Sequence, residues 1–244
     1  MLNLKRGCLP FQAEAVKLYA SDYWDRSKLP VVPDVFGHVD NSIEWGMLAN
    51  DMVGDCVMAG AAHRVMVWNR AVERGLVLFT DAGVRRQYFS LAGGLDEGLD
   101  PIAAAKWETT TGIADAGGNV HRTKGFSVLG SLGDLGVATY MYGSVGLCIN
   151  LPDNAEDYFR DGKPWTDTSA SGSGGHYVVN VGRNSHGLWV GITWGVLQAY
   201  TQEWLEKYCM GVLVYYSEEY LLPSGVSPEA IKGEELDADL ARLA

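Results

Sequence analysis

An α+β fold is predicted, with a helical lobe followed by an antiparallel β-rich lobe, and three observations predict it. Residues 56–74 place small and apolar side chains at helical spacing. Residues 144–216 hold apolar, β-branched runs broken by turn words. The helical patterns come first and the strand patterns after them, so the two kinds of element segregate rather than alternate.

Taken in order, residues 1–35 read as an irregular N-terminal arm punctuated by Pro10, Pro30 and Pro33, with helical character only over Gln12–Tyr19. The main domain is assigned to residues 36–220. It opens on a turn word, Asn50-Asp51-Met52-Val53-Gly54-Asp55. A buried helix is expected over Cys56–Arg74, with Asp55 at its N-cap and Gly75 as its stop. A second helix fits Pro101–Thr110, where proline suits the first turn, and a third fits Ser131–Met141. Strands are expected over Ser144–Leu151, His176–Gly182, Gly187–Trp194 and Met210–Tyr216, with Arg183–His186 as a hairpin turn and Thr201–Tyr208 as a short helix. The Ser/Gly-rich stretch Thr168–Gly175 reads as a surface loop. Residues 221–244 are an acidic tail in which Glu234–Leu243 can form an amphipathic helix.

At 244 residues, 47% hydrophobic and 20% charged, the chain can bury a substantial core. Its net charge of -11, with only 19 basic residues, argues against phosphate neutralisation and against docking on anionic lipid, so no nucleic acid and no membrane partner is expected. No secretory segment and no bilayer-spanning run is visible. Cys8, Cys56, Cys148 and Cys209 lack metal-type spacing, so neither a metal nor a cofactor is expected and free thiols in a reducing cytoplasm are the simplest account.

The question is then which thiol reacts. A thiolate is favoured at a helix N-terminus and beside an imidazolium, which together lower a cysteine pKa from about 8.5 to as little as ~3.5. Cys56 stands at such a helix start, and His176 opens an apolar strand after Gly174-Gly175, the position of a general base. Cys148 and Cys209 lack that context and read as core. His63 shares the Cys56 helix face but lies roughly 10 Å further along, too far for a direct hydrogen bond, and reads as structural. A metal held by Cys56, His63 and His176 finds no support in their spacing.

Taken in order, several words resemble the papain-like cysteine peptidases over about residues 38–216: Asn50 six residues before Cys56, Gly93-Gly94 ahead of the Pro101 helix, Tyr142–Ile149, Gly175–Gly182 and Leu188–Gly195. The Gly-Asp-Cys and Thr-Trp-Gly words and Asn150-Leu151-Pro152 also resemble a phage and prophage subgroup. The resemblance implies a two-lobe papain-like fold and acyl transfer on a peptide or protein substrate. Cys56 would be nucleophile, His176 base, Asn50 an oxyanion donor, Gly93 and Gly94 the substrate-binding edge, and Trp194 the shield of the Cys–His pair. The orienting asparagine of the family falls on Ile192, which cannot hydrogen-bond an imidazole; Thr193, Asn180 or Gln198 could substitute. The arm is shorter than the usual inhibitory propeptide. The alternative is therefore a papain-fold structural protein, such as a phage capsid or tail component, whose arm laces onto a neighbouring copy in a virion. A transglutaminase or amidase would use the same pair.

Overall fold

The computed structural model describes residues 3–12, 16, 19–37 and 43–228. The elements run α1 (Ala20–Tyr23), β1 (Phe36–Gly37), α2 (Cys56–Ala71), α3 (Asp81–Leu91), α4 (Pro101–Thr110), β2 (Ile113–Ala114), β3 (Val120–His121), β4 (Gly125–Val128), α5 (Leu135–Tyr142), β5 (Val145–Pro152), α6 (Asn154–Arg160), β6 (Gly172–Arg183), β7 (Trp189–Thr193), β8 (Val196–Tyr200), α7 (Gln202–Tyr208) and β9 (Cys209–Tyr216). The helical half and the antiparallel half follow one another as expected. The main sheet has the order β4-β9-β5-β6-β7-β8, with β1 added beside β6.

Helix α2 is the axis of the molecule. Every residue from Cys56 to Asn69 is buried. Its small residues permit this: a Cβ on Gly60 would stand 2.6 Å from the ring of Tyr177, and one on Gly146 in β5 would stand 1.7 Å from the Tyr177 hydroxyl. The Tyr177 ring therefore fits between helix and sheet only because both neighbours lack side chains. Tyr177, Val179 and Val181 face α2, while Val178 and the aromatic side chains Trp165, Trp194, Tyr200 and Trp204 form a second core on the other face of the sheet. Period-2 alternation along β6 thus supplies both cores.

Helix α2 also buries Arg64. Its guanidinium bonds Glu108 of α4 at 2.6 and 2.5 Å and the Tyr177 hydroxyl at 2.7 Å, and it lies 3.6 Å from the Tyr215 ring centre. Burial works against both charges, and their mutual attraction opposes it.

Several sequence expectations shift. Helix α2 ends at Ala71, not Arg74. Glu73 takes φ 57° and the amides of Glu73 and Arg74 bond the carbonyls of Arg70 and Asn69, a Schellman closure with Glu73 in the place expected of Gly75. Asp55 occupies the N-cap position without a side-chain cap bond. Helix α3 was unmarked by periodicity, having only Val84 and Tyr88 buried; Thr80 caps it by accepting from the Gly83 amide. Strand β6 begins at Gly172, so the expected Thr168–Gly175 loop is half strand. Strand β8 follows a two-residue turn in which Trp194 (φ 44°) and Gly195 (φ 76°) are both left-handed, as a type I′ hairpin requires. The Gln12–Tyr19 helix falls largely outside the described residues, and the Glu234–Leu243 helix entirely so.

Candidate functional site

Cys56 opens α2 under the edge of β6 and β7. A small cavity there is lined by Asn50, Cys56, His63, Ile192, Thr193 and Trp194 among others. The Cys56 residue is 3% exposed. Burial raises its thiol pKa well above 9; the neighbouring Cys8 adds to this, while backbone amides of Tyr177 and Gly7 aimed at the sulfur oppose it. The thiol is therefore protonated in this conformation. Asp55 beside it has no hydrogen bond of good geometry on either carboxyl oxygen among the described residues, and burial, opposed in part by the nearby Asn50 amide, pushes it up to about 8.

His176 is fully buried on β6. Its ring stacks on Trp194 with centroids 4.3 Å apart and planes 24° apart. Nε2 lies 2.6 Å from Thr193 Oγ1, and among the described residues Nδ1 has no hydrogen-bond partner, Cys56 included. Burial lowers the pKa to about 3, with the Arg6 charge adding to the effect, so the imidazole is neutral. Of the three candidate orienters, Thr193 occupies the position. Asn180 is held by Thr139 and Tyr200, and Gln198 by the carbonyls of Lys163 and Ala199. Ile192 lines the cavity beside Cys56 and has no group that could hydrogen-bond the ring. A hydroxyl donates as well as accepts, so Thr193 holds the ring without selecting a tautomer.

The tip carrying Thr193 and Trp194 is pinned from below. A Cβ on Gly195 would stand 2.9 Å from the carbonyl carbon of Gly46, and His63 Nε2 donates to the carbonyls of Trp45 and Gly46 at 3.2 and 3.0 Å. His63 is thus a positioning residue within the fold, as its spacing implied. Burial lowers its pKa to about 4, which keeps it neutral.

The cleft is filled. Residues 5–9 cross it in extended form. Lys5 N–H donates to Asn50 O at 3.0 Å, Cys8 N–H to Gly175 O at 3.1 Å, and Leu9 N–H to Leu99 O at 3.0 Å, while Leu99 N–H donates to Gly7 O at 2.8 Å. Trp194 Nε1 donates to Lys5 O at 3.0 Å. Cys8 and Leu99 pair in parallel.

The expected residues are brought together in part. Asn50, Cys56 and Trp194 line one cavity with Thr193, and His176 lies directly behind Trp194. The Asn50 amide donates to Val53 O at 3.3 Å. Gly93 and Gly94 turn the chain after α3 at φ 66° and 89°; among the described residues nothing stands within 4 Å of their Cβ positions, and they lie outside the lining of the Cys56 cavity. Leu99, after Gly98, is the residue whose backbone meets the occupying segment. Sequence reasoning missed Leu99, Arg6 and Gly7; backbone pairing leaves no side-chain signature, and the Gly98 turn just before the Asp100 cap was the one local signal. Among the described residues no cluster of His, Cys, Asp and Glu could hold a metal ion.

No protein-family model matches this sequence, and no curated protein matches it. Solved structures do match it in shape. Xylellain, a cysteine protease from Xylella fastidiosa, superimposes with a TM-score of 0.67 at 9% identity, covering 88% of this chain and 97% of that chain. proCathepsin B S9 from Trypanosoma congolense gives 0.63 at 13% identity, covering 88% and 87%. Procathepsin L 3 of the Tenebrio molitor larval midgut gives 0.59 at 14% identity, covering 88% and 76%. The chain has the papain-like fold.

Proposed function

We propose that the chain is a papain-fold thiol hydrolase acting on peptide or protein amide bonds, held closed in this conformation by its own residues 5–9. The observation that carries the reading is the passage of extended polypeptide over Cys56, with an amide of that polypeptide, from Gly7, aimed at the sulfur. A cleft that holds a backbone in this way can hold a scissile one.

When the segment leaves, water reaches Cys56 and the burial penalty on its thiol falls. The Cys56 proton then passes to His176 Nδ1, for which Nε2 must be the protonated nitrogen donating to Thr193 Oγ1. Sulfur bonds to the carbonyl carbon, and the oxyanion is met by the Cys56 N–H and the Asn50 amide once that amide leaves Val53 O. Collapse breaks the C–N bond, His176 returns the proton to the departing amine, and water releases the acid and restores the thiol. The four free cysteines fit action in a reducing compartment such as the cytoplasm.

A second reading has its own observation. Neutral, unpaired Cys56 and His176 suit a papain-fold protein without turnover, for instance a phage-encoded virion component. Iodoacetamide labelling of the intact protein, mapped to each cysteine, separates the two. Cys56 labelling that is suppressed in the closed protein, rises when the segment is displaced, and tracks hydrolysis lost in Cys56→Ala is expected for the hydrolase. Slow labelling after displacement, typical of an ordinary thiol, would overturn it.

A further inference from the structure

The segment in the cleft is anchored by one side chain. Arg6 Nε and Nη2 bond Glu156 Oε1 at 3.0 and 2.8 Å, Nη1 bonds the Leu151 carbonyl at 3.1 Å and Ser173 Oγ at 2.7 Å, and Nη2 stands 3.2 Å from Asp153 Oδ1. This uses both terminal nitrogens and Nε of the guanidinium fork, a geometry an ammonium cannot reproduce. The pocket is itself held in shape: Ser173 Oγ donates to Asp153 Oδ1 at 2.5 Å, and Arg160 takes the other oxygen of Glu156 at 3.0 Å. The Arg6 side chain is 17% exposed and Glu156 21%. The next residue is equally constrained. A Cβ on Gly7 would fall 1.7 Å from the Gly54 carbonyl oxygen, inside covalent range, so only glycine passes that point.

Resting on the cleft described above, we propose that it is a binding site for extended polypeptide carrying the pair Arg-Gly, that residues 5–9 are its resident ligand, and that an Arg-Gly segment of another polypeptide opens the protein by taking their place. Arginine enters the Glu156–Asp153–Ser173 pocket, glycine crosses Gly54, and a small side chain follows in the position of Cys8. The acidic pocket selects the cation, and the Gly54 crossing rejects every side chain larger than hydrogen.

The test uses the full chain and a fluorescent peptide, Asn-Leu-Lys-Arg-Gly-Ser-Leu-Pro, read by anisotropy. Arg6→Ala frees the pocket, so the peptide binds this variant at least about tenfold more tightly than wild type, as expected for loss of a charge-assisted network. Replacing the arginine of the peptide with alanine, or its glycine with valine, lowers affinity at least about tenfold, and adding Glu156→Gln to Arg6→Ala weakens the parent peptide while leaving the alanine peptide unchanged. If Arg6→Ala melts out of the fold, Arg6→Lys keeps the charge without the fork and serves in its place. Equal affinity for the arginine and alanine peptides, or for wild type and variant, overturns the proposal. Following cleavage of the peptide by the protein that keeps Cys56, with Cys56→Ala as the control, separates the two readings. Arginine-dependent binding with no cleavage beyond the Cys56→Ala control keeps this inference and rejects the hydrolase. Hydrolysis indifferent to the Arg-Gly pair rejects this inference and keeps the hydrolase.

Discussion

Helix α2 carries two buried polar clusters that are built oppositely. Two turns in, Arg64 has a carboxylate, a hydroxyl and an aromatic face around its charge, and its Nε alone lacks a partner. At the start of the same helix, Asp55 has no hydrogen bond of good geometry on either oxygen among the described residues, the Asn50 amide only partly offsets its burial, and Cys56 is a neutral thiol; on β6, His176 leaves Nδ1 unpaired among the described residues. Buried polar atoms are normally satisfied: named side chains do this around Arg64, whereas Asp55 and His176 Nδ1 lack such partners among the described residues.

The largest expected effect breaks the satisfied cluster. Arg64→Met leaves Glu108 buried without a cation, and Glu108→Gln leaves Arg64 without an anion. Each should cost about 3–5 kcal/mol in denaturant unfolding, while the pair Arg64→Met with Glu108→Leu should recover most of the loss, because the charges then leave together. A single substitution costing less than about 1 kcal/mol would remove the contrast between the two clusters.

The next effect sharpens the other cluster. The folded pKa of Asp55, about 8, lies above the ordinary carboxylate value. The folded state therefore holds a proton that the unfolded state has lost, and stability falls as pH rises from about 4 to about 8. Asp55→Asn should cancel that slope, with a gain of a few kcal/mol at pH 9 and little change at pH 4. Chemical unfolding across pH reads this directly; parallel slopes for the two proteins would mean that Asp55 is not strained.

Legibility in the sequence divides along the same line. Helix α2, the capped Pro101–Thr110 helix and the strands of the β5–β9 region announce themselves because side-chain spacing and turn residues encode them. Cys56 is legible as the residue that opens α2, whereas His176, expected to open its strand, lies inside β6, which begins at Gly172. Thr193 is one of three polar residues near the strand that the sequence offers, and only the structure shows that its hydroxyl meets His176 Nε2. Helix α3 lacks an apolar stripe, and the pairing of Leu99 with Gly7 and Leu9 runs through backbone groups that no side-chain pattern marks. The cleft occupant is held largely by backbone bonds, to which local sequence is blind.

Towards its C-terminus α2 is tied by a third, weaker cluster. Asn69 Nδ2 donates to Glu219 Oε2 at 2.5 Å, and His121 Nδ1 meets Glu219 Oε1 at 2.9 Å while its Nε2 faces Asp115 at 3.3 Å. The Glu219 carboxylate, aided by Asp115, raises the His121 pKa above its ordinary value. Its stabilisation is present in full below about 6.5 and is lost as pH rises through the higher folded value. His121→Gln should therefore cost about 1 kcal/mol at pH 5.5 and markedly less at pH 9, a pH dependence of the same sign as that of Asp55 and smaller in size.

The smallest effect concerns how α2 ends. Glu73 closes the helix at φ 57°, a conformation in which a side chain costs roughly 1 kcal/mol that glycine does not incur. Glycine also enlarges the unfolded ensemble, which offsets part of the gain. Glu73→Gly should therefore raise stability by about 0.5 kcal/mol, against a loss of similar or larger size for the same change on a regular helical residue such as Arg70. If Glu73→Gly destabilised the protein instead, the closure would depend on the glutamate side chain rather than on its backbone, and the C-terminal end of α2 would join its start as a place where local preference has been set aside for something else.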